Sequence, residues 1–248
     1  MRLFTLITSL CSAFLLTPPA WAEEARIAVS SNFAHVAEVL GQAYAETSGD
    51  RITLIPASTG KLFAQIQSGA PFDAFLSADR ATVAALISDE AALAGTEFTY
   101  ALGRLTLWAP NFHRGAFHDP AKALTGARHI AIANPDLAPY GKAAVETMEA
   151  LAVYQKVAAN LVTAENINQA QTYVATGAAE MGFVASSALT DPPTGAVWQV
   201  PASLHAPIAQ DAVLLRHGAD NRAAKGFLAY LASPAGRALV AASGYDLP

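Results

Sequence analysis

A single cysteine, Cys11, occurs among 248 residues. It lies in a leader-like N-terminal stretch, so the mature chain has no thiol for a disulfide, a metal site or a nucleophile. Charge is also scarce: Asp, Glu, Lys and Arg make up 14% of the chain, with 15 basic against 20 acidic side chains. So few cations argue against nucleic acid, whose phosphates need a basic face. An anion would likewise gain nothing from long-range attraction and would have to be held by local geometry. Beyond the leader no apolar run approaches the roughly 20 residues of a membrane span. The six histidines, His35, His113, His118, His129, His205 and His217, show no metal-ligand spacing and read as surface or structural residues. His-Glu-x-x-His and Gly-x-Ser-x-Gly are both absent.

What is present begins with export. Met1-Arg2 is a short basic start, Leu3 to Leu16 is apolar, and Pro18-Pro19-Ala20-Trp21-Ala22 closes the stretch. Ala20 and Ala22 fit the small-residue pattern of a signal peptidase site, which predicts a signal peptide over 1–22 cleaved after Ala22. The leader holds Arg2 and no acid, so its removal makes the net charge of −5 one unit more negative.

The rest alternates short apolar strands with amphipathic helices. Strands are predicted at Ala25 to Val29, Ile52 to Ile55 (ended by Pro56) and Phe72 to Leu76, then at His129 to Ala133, Leu161 to Thr163, Gly182 to Ala185, Val197 to Val200 and Ile208 to Leu215. Helices follow Ser30-Ser31-Asn32, Ser58-Thr59-Gly60 and Ser77 to Asp79, and run over Lys142 to Leu151, Asn166 to Thr176, Ala223 to Leu231 and Pro234 to Ala242. Such alternation predicts an α/β fold with mostly parallel sheets and ligands beyond the carboxyl ends of the strands. Seams at Ala109-Pro110-Asn111-Phe112 and around Pro201 to Pro207 divide the chain into a first lobe over 23–108, a second over 109–202 and a return segment over 203–248.

Ser58-Thr59-Gly60-Lys61 admits several readings. It is no phosphate loop, because position 55 is Ile and Lys61 is followed by Leu62. As the Ser-x-x-Lys of an acyl-enzyme it lacks the Ser-Asp-Asn and Lys-Thr-Gly partners. Plain helix capping, worth ~1 kcal/mol, explains it. So does an anion site built from helix N-termini, each offering free N–H groups and about half a positive charge. Ser30-Ser31-Asn32 carries the same two readings, and the two turns follow the first two strands of one parallel sheet. Tyr140, in Ala138-Pro139-Tyr140-Gly141 just before a helix, reads equally as packing or as a site residue.

The chain resembles the periplasmic molybdate-binding proteins of ABC transporters. The resemblance runs through Ala28-Val29-Ser30-Ser31-Asn32-Phe33, Ala57-Ser58-Thr59-Gly60-Lys61-Leu62, Gly69-Ala70-Pro71-Phe72-Asp73, Phe75-Leu76-Ser77-Ala78-Asp79, Ala133-Asn134-Pro135, Ala138-Pro139-Tyr140-Gly141 and Glu165-Asn166-Ile167. It implies a two-lobed periplasmic-binding-protein fold with the ligand in the interlobe cleft. It also implies ligand contacts from Ser31 and Asn32, from Ser58 and Thr59, and from backbone N–H groups at Tyr140 and Ile167. Some members carry a tyrosine where this chain has Ala185, and Tyr140 stands in for it. The implied function is capture of molybdate or tungstate as an oxyanion, without a cofactor or cation-ligating residues. The implied setting is the periplasm, as a monomer with no catalytic residues that delivers to a membrane permease.

A fully deprotonated oxyanion only accepts hydrogen bonds, so a cavity made of donors suits it and penalises any ligand O–H by ~1–3 kcal/mol. The alternatives are binding of sulfate or an organic anion, and a Ser58–Lys61 acylase. An organic carboxylate calls for an arginine fork, and Arg51 and Arg80 lie outside the candidate turns.

Overall fold

The computed structural model describes residues 22–189 and 192–248, so the signal peptide expected over 1–22 lies almost wholly outside the described residues. In chain order the first unit comprises β1 (Glu24–Ser30), α1 (Ala34–Ser48), β2 (Arg51–Ala57), α2 (Thr59–Gln67), β3 (Ala74–Leu76), α3 (Arg80–Ser88) and β4 (Phe98–Gly103). The second comprises β5 (Leu105–Ala109), α4 (Pro120–Gly126), β6 (Ile130–Ala133), α5 (Pro139–Ala150), α6 (Tyr154–Val157), β7 (Leu161–Ala164), α7 (Ile167–Ala175), β8 (Met181–Ala185) and β9 (Ala196–Gln199). The chain then returns through β10 (Ile208–Leu214), α8 (Arg222–Ala232) and α9 (Pro234–Ala242).

Two five-stranded sheets result, ordered β2-β1-β3-β10-β4 and β7-β6-β8-β5-β9. In the first, β1 pairs in parallel with β2 and β3, and β10 runs antiparallel to β3 and β4. In the second, β6 pairs in parallel with β7 and β8, and β5 runs antiparallel to β8 and β9. One reversed strand per sheet leaves the others pointing the same way, so the sheets are mixed but mostly parallel.

Both faces of the first sheet are covered, which is why β1 reads as a continuous apolar run. Ile27 and Val29 pack on one side with Leu40 and Phe227, while Ala28 packs on the other with Leu62 and Phe75. The second sheet has its own core around Leu107, Ile132, Met148 and Phe183. Among the described residues no helix is long and apolar enough to cross a membrane.

Three expectations need correction. Pro56 does not end the second strand, which continues to Ala57 with Pro56 in register with Val29. β2 is an edge strand, where the missing N–H of proline is tolerated. The passage between sheets falls at Arg104, not at Ala109, because β5 already belongs to the second sheet. β4 and β5 escape sequence reading because they form one nearly continuous extended run that changes cores across a single residue. Finally, α5 begins at Pro139, ahead of Lys142. Proline suits the first helical position, where its fixed φ fits and its absent N–H would have no partner. Tyr140 therefore sits in the first turn of a helix and not in the preceding loop.

The first unit is locked by a charge cluster. Asp50 is buried and accepts from both Arg222 guanidinium nitrogens, at 3.0 and 2.6 Å, from the Tyr44 hydroxyl at 3.0 Å and from the Glu23 N–H at 3.2 Å. It ties the start of α8 to the end of α1 and the start of β1.

Candidate oxyanion site

Four helix N-termini converge between the sheets. From the first unit come the 3-10 turn Ser31–Phe33 leading into α1, and α2; from the second come α5 and α7. They enclose a small cavity lined by Ser30, Ser31, Asn32, Ser58, Thr59, Ala78, Ala138, Pro139, Tyr140 and Ile167. The cavity is tight, with about 10 Å³ of free volume, roughly the room one water molecule requires. A larger cleft of about 670 Å³ adjoins it through Ser31 and Asn32 and is bounded by α7, residues 186–189 and residues 242–244. The small cavity is the one where hydrogen-bond donors converge.

The helix caps separate the bland reading from the functional one. Asp79, Asp119, Asn166, Asn221 and Ser233 each accept a hydrogen bond from a first-turn N–H, as caps do. Ser58 and Ser30 occupy the same position and make no such bond. The Ser58 hydroxyl is buried and, among the described residues, has no hydrogen-bond partner. Leaving a buried hydroxyl unpaired costs ~1–3 kcal/mol, which a water or a ligand oxygen at this position would remove.

Thr59 Oγ1 lies 2.7 Å from Ser30 Oγ and accepts from the Ala78 N–H at 3.4 Å. The Tyr140 and Ile167 N–H groups fall in first turns, where a helix supplies no carbonyl partner. Among the described residues, no acid, lysine, arginine or histidine lines the cavity. Among the described residues, no group of His, Cys, Asp and Glu is arranged to hold a metal ion. The site is therefore neutral, rich in donors and suited to an ion that only accepts.

Two of the expected residues are engaged elsewhere through their side chains. The Asn32 amide donates to Gln210 Oε1 at 2.8 Å and to the Tyr245 hydroxyl at 3.2 Å, which occupies both of its protons. Asn32 lines the cavity with its side-chain amide already engaged. The Tyr140 hydroxyl accepts from Gln210 Nε2 at 3.4 Å, next to Gly103 where the first sheet hands over to the second. Burial holds the Tyr140 hydroxyl well above the ordinary tyrosine range, as it does Tyr100 and, less strongly, Tyr245. All three remain neutral.

The residues that sequence reading passes over are Ala78, Ala138, Pro139 and, behind the wall, Gln210, while Ser30 is read only as part of its turn. Gln210 carried a usable signal: with Asp211 it interrupts an apolar strand, and its amide is fully buried.

The acylase reading fails on geometry. A Ser–Lys pair needs the lysine within hydrogen-bond reach of the serine, yet Lys61 pairs with Glu165 across the cleft and Ser58 Oγ has no partner among the described residues. The Lys61 and Glu165 side chains are 50% and 49% exposed. Lys61→Ala is therefore expected to change anion affinity by less than about fivefold, since such pairs contribute ~1 kcal/mol or less. Titration calorimetry at two salt concentrations checks this. A loss of a hundredfold or more would mean that Lys61 acts on the ligand itself.

Residues 25–246 match the family of bacterial extracellular solute-binding proteins. The chain is 40% identical over 239 residues to the molybdate-binding protein ModA of Rhodobacter capsulatus, covering 96% of this chain and 94% of that one. It is 38% identical to ModA of Azotobacter vinelandii, over 95% and 94% of the two chains. The solved structure of the Azotobacter vinelandii periplasmic molybdate-binding protein superposes with a TM-score of 0.85 at 35% identity, covering 90% of this chain and 99% of that one. A sulfate-binding protein of Mycobacterium tuberculosis reaches a TM-score of 0.73 at 11% identity, a likeness of fold alone. With two mixed sheets, a donor-lined cavity between them and relatives that are binding proteins, the chain belongs to the bacterial extracellular solute-binding proteins.

Proposed function

We propose that this protein captures molybdate, or the near-identical tungstate, in the periplasm and delivers it to the membrane permease of an ABC transporter. The single observation that carries the reading is the Ser58 hydroxyl, buried without a protein partner in a wall of neutral donors. Fully deprotonated oxygens satisfy such a wall, whereas a protonated phosphate brings an O–H with nothing to receive it. The cavity residues act as ligands and not as catalysts, so no substrate turns over. Ser31 and Asn32 contribute through backbone N–H groups, Ser58 and Thr59 through hydroxyls, and Tyr140 and Ile167 close the site through backbone N–H groups.

In this reading the two sheet units are lobes that move as bodies about the segments crossing between them, at Arg104 and between β9 and β10. Lobe closure removes water and strengthens each hydrogen bond to the ion. The protein works as a monomer, exported by a signal peptide cleaved after Ala22. High identity over nearly the full length of two molybdate-binding relatives supports molybdate over sulfate.

Thermal melting of the mature chain with molybdate, tungstate, sulfate and phosphate in turn tests the assignment. Ligand at 100 times its Kd stabilises by ~2.7 kcal/mol, which for a chain of this length raises Tm by roughly 5–11 °C. The rise is expected for molybdate and tungstate. A melt raised by sulfate and unmoved by the other two would overturn the proposal.

A further inference from the structure

We infer that Asn168 is a positioning residue for the ion, fixing the Ser31–Asn32 turn from the opposite lobe as the cleft closes. The inference rests on the oxyanion reading above. Asn168 lines the larger cleft and not the small cavity. Its amide nitrogen donates to the Ser31 carbonyl at 2.8 Å, across the gap between α7 and the turn that opens α1.

That carbonyl has two lone pairs. One already accepts the Ala34 N–H that closes the 3-10 turn, and Asn168 takes the other. In a trans peptide the C=O and the following N–H point in opposite directions. Holding the Ser31 oxygen from outside therefore aims the Asn32 N–H back along the turn, at the helix start that faces the cavity. The same residue is joined directly to Ile167, whose own N–H lies in the first turn of α7. One short segment of the second lobe thus supplies an N–H to the ion and sets the direction of another N–H in the first lobe.

The contact crosses the cleft, so it forms only when the lobes come together. It should then act on the closed, loaded protein and leave the open one unchanged. By reciprocity, whatever Asn168 contributes to closure it contributes equally to ion affinity. The Lys61–Glu165 pair also crosses the cleft, but it is solvent-exposed and bonds no atom of a ligand turn. Asn168 differs in grasping the peptide that presents the donor.

The test compares wild type, Asn168→Ala and Asn168→Asp, with molybdate binding followed by calorimetry and stopped-flow kinetics and unliganded Tm measured alongside. Asn168→Ala is expected to weaken affinity by about five- to tenfold, the usual effect of one hydrogen bond. The loss should appear in the dissociation rate, with association nearly unchanged, and the unliganded Tm should not move. Asn168→Asp keeps the shape but sets a carboxylate against a carbonyl, and should lose at least as much. Wild-type affinity in Asn168→Ala, a loss confined to association, or an equal drop in Tm with and without ligand would each overturn the inference while leaving the molybdate reading in place. A wild type that binds no molybdate would bring down both.

Discussion

Gly60→Ala is expected to stabilise the unliganded protein and, at the same time, to weaken anion binding by about tenfold. The two effects have separate causes. Gly60 is the second residue of α2, and alanine is the better helix former by up to ~1 kcal/mol. Gly60 meets the second sheet unit directly, its N–H donating to the Leu137 carbonyl at 2.9 Å. A methyl group built there would stand 3.1 Å from Leu137 Cα, 3.2 Å from its Cδ2 and 3.3 Å from its oxygen. Much of that obstacle is backbone, held by the Asn134–Ala138 turn that leads into α5, so it cannot simply rotate away. The lobes must stop short, which stretches the Gly60–Leu137 bond and widens the cavity. Overpacking of this kind costs ~1–3 kcal/mol, equivalent to roughly ten- to a hundredfold in affinity. Gly60→Val, with two further methyl groups, should lie at the upper end. Calorimetry and unliganded melts on the same preparations read both quantities. Unchanged affinity in Gly60→Val would mean that binding does not require the closure described above.

Asp50→Ala should be strongly destabilising, costing about 2–4 kcal/mol and leaving affinity per folded molecule unaltered. It removes one acceptor from the Glu23 N–H, the buried Tyr44 hydroxyl and two Arg222 nitrogens at once. Burial pushes the Asp50 carboxyl up, but the Glu23 N–H, the Arg222 guanidinium and the Tyr44 hydroxyl outweigh it, so the group titrates below the ordinary carboxylate range. A depressed carboxyl stabilises the fold fully above its unfolded pKa, and that contribution disappears as pH falls through the folded value. Urea unfolding of wild type and Asp50→Asn should therefore differ most at neutral pH and converge on acidification. A difference that grows toward low pH would show that the cluster does not hold Asp50 ionised.

The parts of this fold that can be read from sequence are those governed by neighbours along the chain. Alternating apolar spacing and capping residues locate β1, α1, α2, β6, α7 and the two closing helices to within a few residues. Pro56 misleads because its permission to stay in a strand comes from β2 lying at the sheet edge, which no local pattern reveals. β4 and β5 are missed because Gly103-Arg104-Leu105 contains a change of sheet but no turn signal.

The candidate site divides in the same way. Ser58, Thr59, Tyr140 and Ile167 stand where helices begin, and helix starts can be read. The fate of the Asn32 side chain depends on Gln210 and Tyr245, 178 and 213 residues away. The grip of Asn168 on Ser31 spans 137 residues. Such pairings are products of the fold, and periodicity carries no trace of them.

The neutrality of the cavity wall has a consequence for the conditions under which capture works. Hydroxyls and backbone N–H groups do not titrate near physiological pH, and burial holds the Tyr140 hydroxyl further still from ionising. The proton balance of binding then belongs to the ion alone. Affinity should stay level as surroundings drift between mildly acidic and mildly alkaline and as salt rises and falls. It should give way only where the oxyanion itself takes up a proton. A scavenger built in this way keeps its grip in a medium that the cell does not buffer.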